Sequence, residues 1–114
     1  MSLKQYETVF ILNPVLSDAQ VKEAVEKFKT ILTNLGAEVY HTENWGLKKL
    51  AYLIQKKSTG YYVLMQFKGT ATNLVDVLEV EYKRDEKVMR FLTVSMDKDA
   101  LKFAEKRRNK QSPN

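Results

Sequence analysis

The order of two hydrophobic periodicities along the chain is the feature that most constrains its fold. Apolar residues at helical spacing predict one helix between Ser17 and Gly36 and a second over about residues 71–83. Segments rich in alternating apolar side chains predict four strands, at about residues 4–13, 37–56, 61–68 and 87–96. The predicted order of elements is therefore βαββαβ.

The first helix has the clearest start and stop signals. Ser17 is a favourable N-cap, and Gln20 stands three residues later, as in a capping box. Leu16 and Val21 occupy the two positions of a hydrophobic staple around that cap. Gly36 stands where a helix end favours a left-handed residue, so the helix is predicted to stop there.

The βαββαβ order predicts an α+β fold of the ferredoxin-like type. Two split βαβ units with right-handed crossovers give a four-stranded antiparallel sheet of order 4-1-3-2, with both helices on one face. The other face is predicted to be bare and to carry Glu7, Val9, Ile11, Tyr62, Leu64, Gln66 and Arg90. A partly apolar bare face indicates a partner, so the candidate partner-interface residues are Val9, Ile11 and Leu64, with Trp45 on the edge strand.

The positive charge is concentrated at the C-terminal end of the chain. The net charge is +5, of which residues 98–114 carry +4 and residues 1–97 only +1. We predict one folded domain over residues 1–97, followed by a flexible basic tail over residues 98–114. A basic tail indicates a polyanionic partner or simply improves solubility.

Several classes of function are disfavoured by composition. The chain has no cysteine, which excludes disulfides, thiolate catalysis and cysteine-based metal sites. His41 is the only histidine, and the four glycines form no phosphate-binding loop, so no metal and no cofactor is predicted. No stretch reaches the roughly 18 apolar residues of a membrane span, so a cytoplasmic protein without membrane contact is expected.

Four sequence blocks carry a resemblance to a known family. They are YE at 6–7 with NP at 13–14, WGLKKLAYLI at 45–54, GYY at 60–62 and RDEKVMRF at 84–91. Together they resemble the bacterial ribosomal protein six family of the small ribosomal subunit, over about residues 3–96, and the second block is the most specific.

The resemblance implies a structural role in the ribosome and the same βαββαβ fold. Members of that family bind the central domain of small-subunit ribosomal RNA and pair with small-subunit ribosomal protein eighteen, and no catalytic residue comes with the family. Neither an enzymatic activity nor a small-molecule substrate is therefore expected.

The candidate RNA-binding residues are mostly basic and lie on predicted strand edges and loops. They are Lys4, Lys48, Lys49, Tyr62, Arg84, Lys87 and Arg90. Ordinary structural roles compete with this reading: lysines on an edge strand also block unwanted strand pairing, and the basic residues near Asp85 and Glu86 are placed to form local ion pairs.

Two other classes of function remain open at this point. The first is a regulatory or small-ligand-binding ferredoxin-like domain that dimerises through its bare sheet face. The second is a small enzyme, because this fold also hosts enzymes. The basic pair Lys48 and Lys49 within its specific block favours the ribosomal role over both.

Overall fold

The computed structural model describes residues 3–96, so the predicted tail over residues 98–114 lies outside the described residues. The elements are β1 (Lys4–Leu12), α1 (Asp18–Asn34), β2 (Glu38–Ile54), β3 (Lys57–Gly69), α2 (Leu74–Arg84) and β4 (Val88–Ser95). The strands form one sheet of order β2-β3-β1-β4, and each neighbouring pair is antiparallel. The predicted ferredoxin-like architecture and strand order are confirmed.

Helix α1 begins and ends as its sequence predicts. The Gln20 backbone N–H donates to the Ser17 hydroxyl at 3.2 Å, and the Ser17 backbone N–H donates to the Gln20 side-chain oxygen at 2.9 Å. At the other end, the Gly36 N–H donates to the Thr33 carbonyl, the Ala37 N–H donates to the Leu32 carbonyl, and Gly36 has φ +83°. These bonds form a Schellman motif, which satisfies carbonyls that the helix end would otherwise leave unpaired.

The main core lies between the two helices and the sheet face that they cover. Aromatic rings fill its centre: the centroids of Phe28 and Tyr82 are 4.7 Å apart, and those of Phe10 and Tyr82 are 5.1 Å apart. The Thr8 hydroxyl is buried among them and bonds to both the Tyr82 hydroxyl, at 3.0 Å, and the Thr93 hydroxyl, at 2.8 Å. Strand β1, helix α2 and strand β4 are thus joined by packing and by a chain of three hydroxyls.

The β2–β3 hairpin differs from its prediction in the position of the turn. Residues 57–60 have turn composition, but Ile54 pairs with Lys57, and the turn consists of Gln55 (φ 52°) and Lys56 (φ 65°). Two left-handed residues in a two-residue loop are the pattern of a type I′ turn, which matches the twist of the flanking strands. The prediction was wrong because neither turn residue is a glycine or an asparagine.

A glycine within a long predicted strand indicates a bend, and the structure has a β-bulge at Trp45-Gly46. The β2–β3 register shifts between Asn44 and Gly46, and Gly46 has φ +81°. A glycine with positive φ in one strand of an antiparallel pair is a common bulge arrangement, and it increases the local twist. The bulge stands at the start of the ten-residue block, residues 45–54, that distinguishes the sequence.

Candidate nucleic-acid and partner interface

The sheet face that the helices leave uncovered, called here the outer face, can be described row by row from the strand register. Side chains of directly paired residues share a face. The row nearest the hairpin consists of Arg90, Ile11, Tyr62 and Gly46. The next consists of Leu92, Val9, Leu64 and Glu43, and the third of Val94, Glu7, Gln66 and His41.

A row of basic and aromatic side chains crosses the hairpin end of this face. We call it the basic–aromatic row, and it comprises Arg90, Ile11, Tyr62, Trp45 and Lys48. The Trp45 and Tyr62 rings are nearly parallel, at 16°, with their centroids 6.4 Å apart, and the Lys48 ammonium lies 5.5 Å from the Trp45 centroid. Arg90 and Lys48 are exposed, and neither forms an ion pair within residues 3–96. The row therefore places two available cations on either side of an aromatic pair.

Hydrogen bonds from the neighbouring row fix the orientation of Trp45. The Trp45 indole N–H donates to one Glu43 carboxylate oxygen at 2.7 Å, and the His41 Nε2 lies 2.6 Å from the other. The Glu43 side chain is only 12% exposed, so this carboxylate faces its two partners rather than solvent. Glu43 thus holds the indole in place beside Tyr62.

A small second core supports the same end of the outer face. Its buried residues are Leu50, Ile54 and Met89, and Ile11 and Tyr62 pack against it. A Cβ atom added at Gly60 would lie 2.3 Å from the Ile11 Cγ2 atom, so only glycine allows the hairpin to approach β1 this closely. The hairpin is therefore packed onto the outer face, which makes its basic residues part of the same surface.

The middle of the outer face is not bare, in contrast to the prediction. Leu64 is 1% exposed and Gln66 is fully buried, and the Gln66 amide donates to a Glu7 carboxylate oxygen at 3.0 Å. Polar side chains of this region, Glu7, Gln66 and Glu43, are held by hydrogen bonds within the face. Leu64 therefore does not reach the surface in this structure, although it is a predicted partner-interface residue.

Exposed apolar side chains lie instead along β4. Leu92 is 66% and Val94 44% exposed, and Val9, which is half-buried, pairs with Leu92 across the sheet. We call these three residues the apolar β4 patch. Sequence reasoning included only Val9, although the alternation within β4 was a signal for the other two. Of the remaining predicted partner residues, Ile11 and Trp45 are half-buried and belong to the basic–aromatic row.

The basic candidates fall into two groups by location. Lys48 and Lys49 are both exposed on the edge strand β2, as predicted for adjacent residues of an edge strand. Arg90 lies at the same end of the sheet. Lys4 is exposed at the opposite end of β1 from Ile11, and seven residues of strand span about 24 Å. The structure does not bring Lys4 to the basic–aromatic row.

Lys87 and Arg84 have local ion-pair partners, as the competing interpretation expected. The Lys87 ammonium lies 3.3 Å from Asp85, and Arg84 lies 4.0 Å from Glu81, although the Arg84 side chain is 76% exposed. Asp85 is buried and also accepts a bond from the Lys27 ammonium at 3.0 Å. Lys87 thus has a structural role in the link between α1 and the start of β4, while Arg84 keeps most of its surface free.

The protonation of Asp85 is set by these contacts. Burial alone would raise the pKa of the carboxyl, but the hydrogen bonds from the Lys87 N–H and from Lys27, together with the charge of Lys27, outweigh it. The pKa of Asp85 is therefore lowered from its ordinary value. The carboxylate stays charged under ordinary conditions and is neutralised by lysines, which removes it as a source of repulsion for a polyanion.

Residues 3–96 do not contain a group of three or more His, Cys, Asp or Glu side chains that could hold a metal ion. Within the same range, no helix is long and apolar enough to cross a membrane. The grooves beside α1 are shallow and lined by mixed polar residues, including Lys22, Glu26 and Lys29. The features of this surface that carry chemistry are therefore its cations and its aromatic pair.

Comparison with known proteins agrees with the fold and covers nearly the whole chain. The family described as Ribosomal protein S6 matches residues 5–95. The chain is 63% identical over 110 residues to the small ribosomal subunit protein bS6 of Phocaeicola vulgatus, covering 96% of each chain. It is 57% identical over 108 residues to the protein of the same name from Flavobacterium johnsoniae, covering 95% of each.

A solved structure supports the same assignment. The crystal structure of 30S ribosomal protein S6 from Thermotoga maritima matches with a TM-score of 0.79 and 26% identity, covering 97% of this chain and 100% of that one. Sequence and fold therefore agree over the four blocks quoted above, and the chain belongs to the ribosomal protein S6 family.

Proposed function

We propose that this protein is a non-catalytic structural component of the small ribosomal subunit in the cytoplasm, and that it binds the central domain of the small-subunit ribosomal RNA together with small-subunit ribosomal protein eighteen. The observation that carries this proposal is the set of exposed cations at the hairpin end, Lys48, Lys49 and Arg90, none of which forms an ion pair within residues 3–96. Membership of the ribosomal protein S6 family supports the ribosomal location.

The RNA contact is assigned to the hairpin end because the charges of the domain are unevenly distributed. Lys48, Lys49 and Arg90 are exposed at that end of the sheet, and the exposed side chain of Arg84 lies at the C-terminal end of α2, which leads into β4. Helix α2 carries Asp76, Glu79 and Glu81 against Lys83 and Arg84, so it attracts phosphate less than the hairpin end does. Neutralising phosphates with lysine and arginine supplies affinity that falls as salt rises.

The protein partner is assigned to the apolar β4 patch. Leu92 is 66% and Val94 44% exposed, and together with Val9 they form one continuous apolar surface on the outer face. Covering them removes apolar surface from water, at roughly 25 cal/mol per Å². A domain whose residues 1–97 have a net charge of only +1 should bind RNA weakly alone, so a second protein that binds both would raise the combined affinity.

The test is a titration of a central-domain ribosomal RNA fragment with the full chain, with and without protein eighteen, at two salt concentrations. We expect tight binding only with both proteins, and affinity that falls with salt. Lys48→Gln and Arg90→Gln should each weaken binding and reduce the salt slope by about 1, as expected for one lost phosphate contact.

Lys4→Gln is the matched control, since Lys4 is an exposed lysine at the opposite end of β1, about 24 Å from Ile11, and its loss changes the net charge equally. Equal weakening by all three variants would show that only net charge matters and would contradict the assigned surface. Failure of the two proteins together to bind the fragment would reject the proposal itself.

A domain that dimerises through its sheet face is the alternative left open by the sequence. The apolar β4 patch would also fit a second copy of the chain. Sedimentation of the isolated protein decides between them: a stable dimer that protein eighteen cannot dissociate would favour the alternative.

A further inference from the structure

We propose that the Trp45–Tyr62 pair is a stacking site for an unpaired nucleobase, with Lys48 and Arg90 placed to receive the phosphates on either side of it. This inference rests on the proposed RNA-binding function and specifies what kind of RNA the hairpin end takes. It concerns single-stranded nucleotides, because a base within a helix offers no free face for stacking.

The Trp45 and Tyr62 rings are stacked on each other. Parallel rings with centroids 6.4 Å apart lie within the range of offset stacking, so they form one continuous aromatic surface. Both side chains are half-buried, and each keeps part of its surface in solvent. An aromatic surface on a sheet is a platform that every base can use, because every base has a π face.

Both rings are held in a fixed orientation by their neighbours. The indole N–H of Trp45 is held by Glu43 at 2.7 Å, and Tyr62 packs against the Leu50, Ile54 and Met89 cluster. Neither ring has to be ordered when a ligand binds, so less side-chain entropy is lost on association. Glu43 acts here as a positioning residue, because its carboxylate is turned toward His41 and Trp45 and away from the solvent side.

A basic side chain lies on each side of the aromatic pair. Lys48 already interacts with the Trp45 ring at 5.5 Å, and its flexible chain can move to a phosphate beside a stacked base. On the other side, Arg90 is two strands away from Tyr62 in the same row, or about 10 Å at the usual strand spacing. Cations flanking an aromatic platform are the combination with which proteins hold single-stranded nucleic acid.

The position of the pair also favours RNA over the protein partner as its occupant. Trp45 was expected at a partner interface, but its neighbours include Lys48, whereas the apolar β4 patch lies on β1 and β4, toward the other edge of the same face. A protein that covered Trp45 would have to bury that ammonium or find an acid for it. A phosphate supplies the matching charge directly.

The test uses the fluorescence of Trp45, which is the only tryptophan of the chain. The full chain is titrated at low salt with single-stranded oligoadenylate, with an RNA duplex of equal charge and with inorganic polyphosphate, and binding is followed separately by competition for a labelled RNA. We expect oligoadenylate to quench Trp45, and polyphosphate and the duplex to bind without quenching it. Tyr62→Leu should weaken oligoadenylate binding about tenfold, the middle of the range for one base–aromatic stack.

Tyr52→Leu is the matched control, since Tyr52 is 67% exposed on the same hairpin but lies outside the pair, and this variant should bind as the wild type does. Equal quenching by polyphosphate, oligoadenylate binding with unchanged fluorescence, or equal losses in the two tyrosine variants would each overturn the inference. A change in Trp45 fluorescence on adding protein eighteen alone would also overturn the inference, because it would show that the protein partner contacts the aromatic pair. The ribosomal fragment titration does not depend on Trp45, so these results leave the proposed function standing.

Discussion

Removing the central hydroxyl of the Tyr82–Thr8–Thr93 chain, by Thr8→Val, should reverse the effect of a second substitution, Tyr82→Phe. Thr8 is fully buried and Tyr82 is 1% exposed, and the Tyr82 hydroxyl bonds to the Thr8 hydroxyl at 3.0 Å. Burial raises the pKa of Tyr82, so the hydroxyl is neutral and needs a hydrogen-bond partner. Thr8→Val keeps the shape of the side chain but removes that partner.

The expected change in the free energy of unfolding depends on which buried hydroxyl loses its hydrogen-bond partner. Tyr82→Phe in the wild type leaves Thr8 bonded to Thr93 at 2.8 Å, so it should lower the free energy of unfolding by about 1 kcal/mol. Thr8→Val strands the buried Tyr82 hydroxyl and should cost about 2 kcal/mol. In the double variant no hydroxyl of that pair is left unpaired, so Tyr82→Phe should stabilise the Thr8→Val protein by about 1 kcal/mol. The coupling energy is then about 2 kcal/mol, within the range for residues in contact.

The assay is urea unfolding of the four proteins, followed by circular dichroism and by Trp45 fluorescence so that two-state behaviour is checked. A difference of about 1 kcal/mol corresponds to about 4–8 °C in the midpoint of thermal unfolding for a domain of this size. Tyr52→Phe, at an exposed hydroxyl, is the control and should stay within about 0.5 kcal/mol of the wild type. If Tyr82→Phe destabilises the Thr8→Val protein as much as the wild type, the reasoning about the buried hydroxyl is wrong.

Three further predictions concern single positions. Because the pKa of Asp85 is lowered in the folded state, its carboxylate adds stability that is present above its ordinary pKa of 3.8 and is lost as the pH falls through the folded value. Asp85→Asn should therefore be about 1–3 kcal/mol less stable than the wild type at neutral pH, and the stabilities of the two proteins should converge in acid. A stability difference that does not shrink in acid would show that the charge of Asp85 is not its cause. Gly60→Ala should lower stability by about 1–3 kcal/mol through its contact with Ile11, and Gly60→Ala combined with Ile11→Val should recover part of the loss in urea unfolding. Ser17→Ala should cost about 1 kcal/mol by removing the N-cap bond, whereas Ser17→Asp, which keeps a capping oxygen, should unfold near the wild-type midpoint.

Local signals explain why most of the fold could be predicted from the sequence. The capping pair Ser17 and Gln20, and the glycine at position 36, act within one helix, so their patterns do not depend on the rest of the chain. The strand order followed from the βαββαβ sequence of elements because right-handed crossovers leave few topologies. The bulge at Gly46 was also predictable from a glycine within a long strand.

The errors arose where a residue's role depends on a distant part of the chain. Gly60 looks like a turn residue in sequence, but its function is to let Ile11 approach from a strand nearly 50 positions away. Leu64 was expected on a bare surface because the alternation of side chains along a strand places it on the outer face. That alternation does not show whether the face is exposed to solvent. Glu43 and Gln66, which are largely buried in the same region and hydrogen-bonded there, are polar residues that a sequence reading assigns to solvent.

The basic–aromatic row and the apolar β4 patch consist of different side chains on one face, which determines how two partners can bind together. Leu92 and Val9 lie one row from Arg90 and Ile11, and Val94 lies two rows away, or about 14 Å along the strands. Under the proposed function, RNA at one end and protein eighteen near the other need not compete for the same side chains. Each would then hold the domain in place for the other, and the gain would come from effective concentration rather than from new contacts on this chain. A nearly neutral domain can therefore take part in tight RNA binding. Its weak charge limits its own affinity for RNA, but it does not limit the affinity of the complex that the domain forms with protein eighteen.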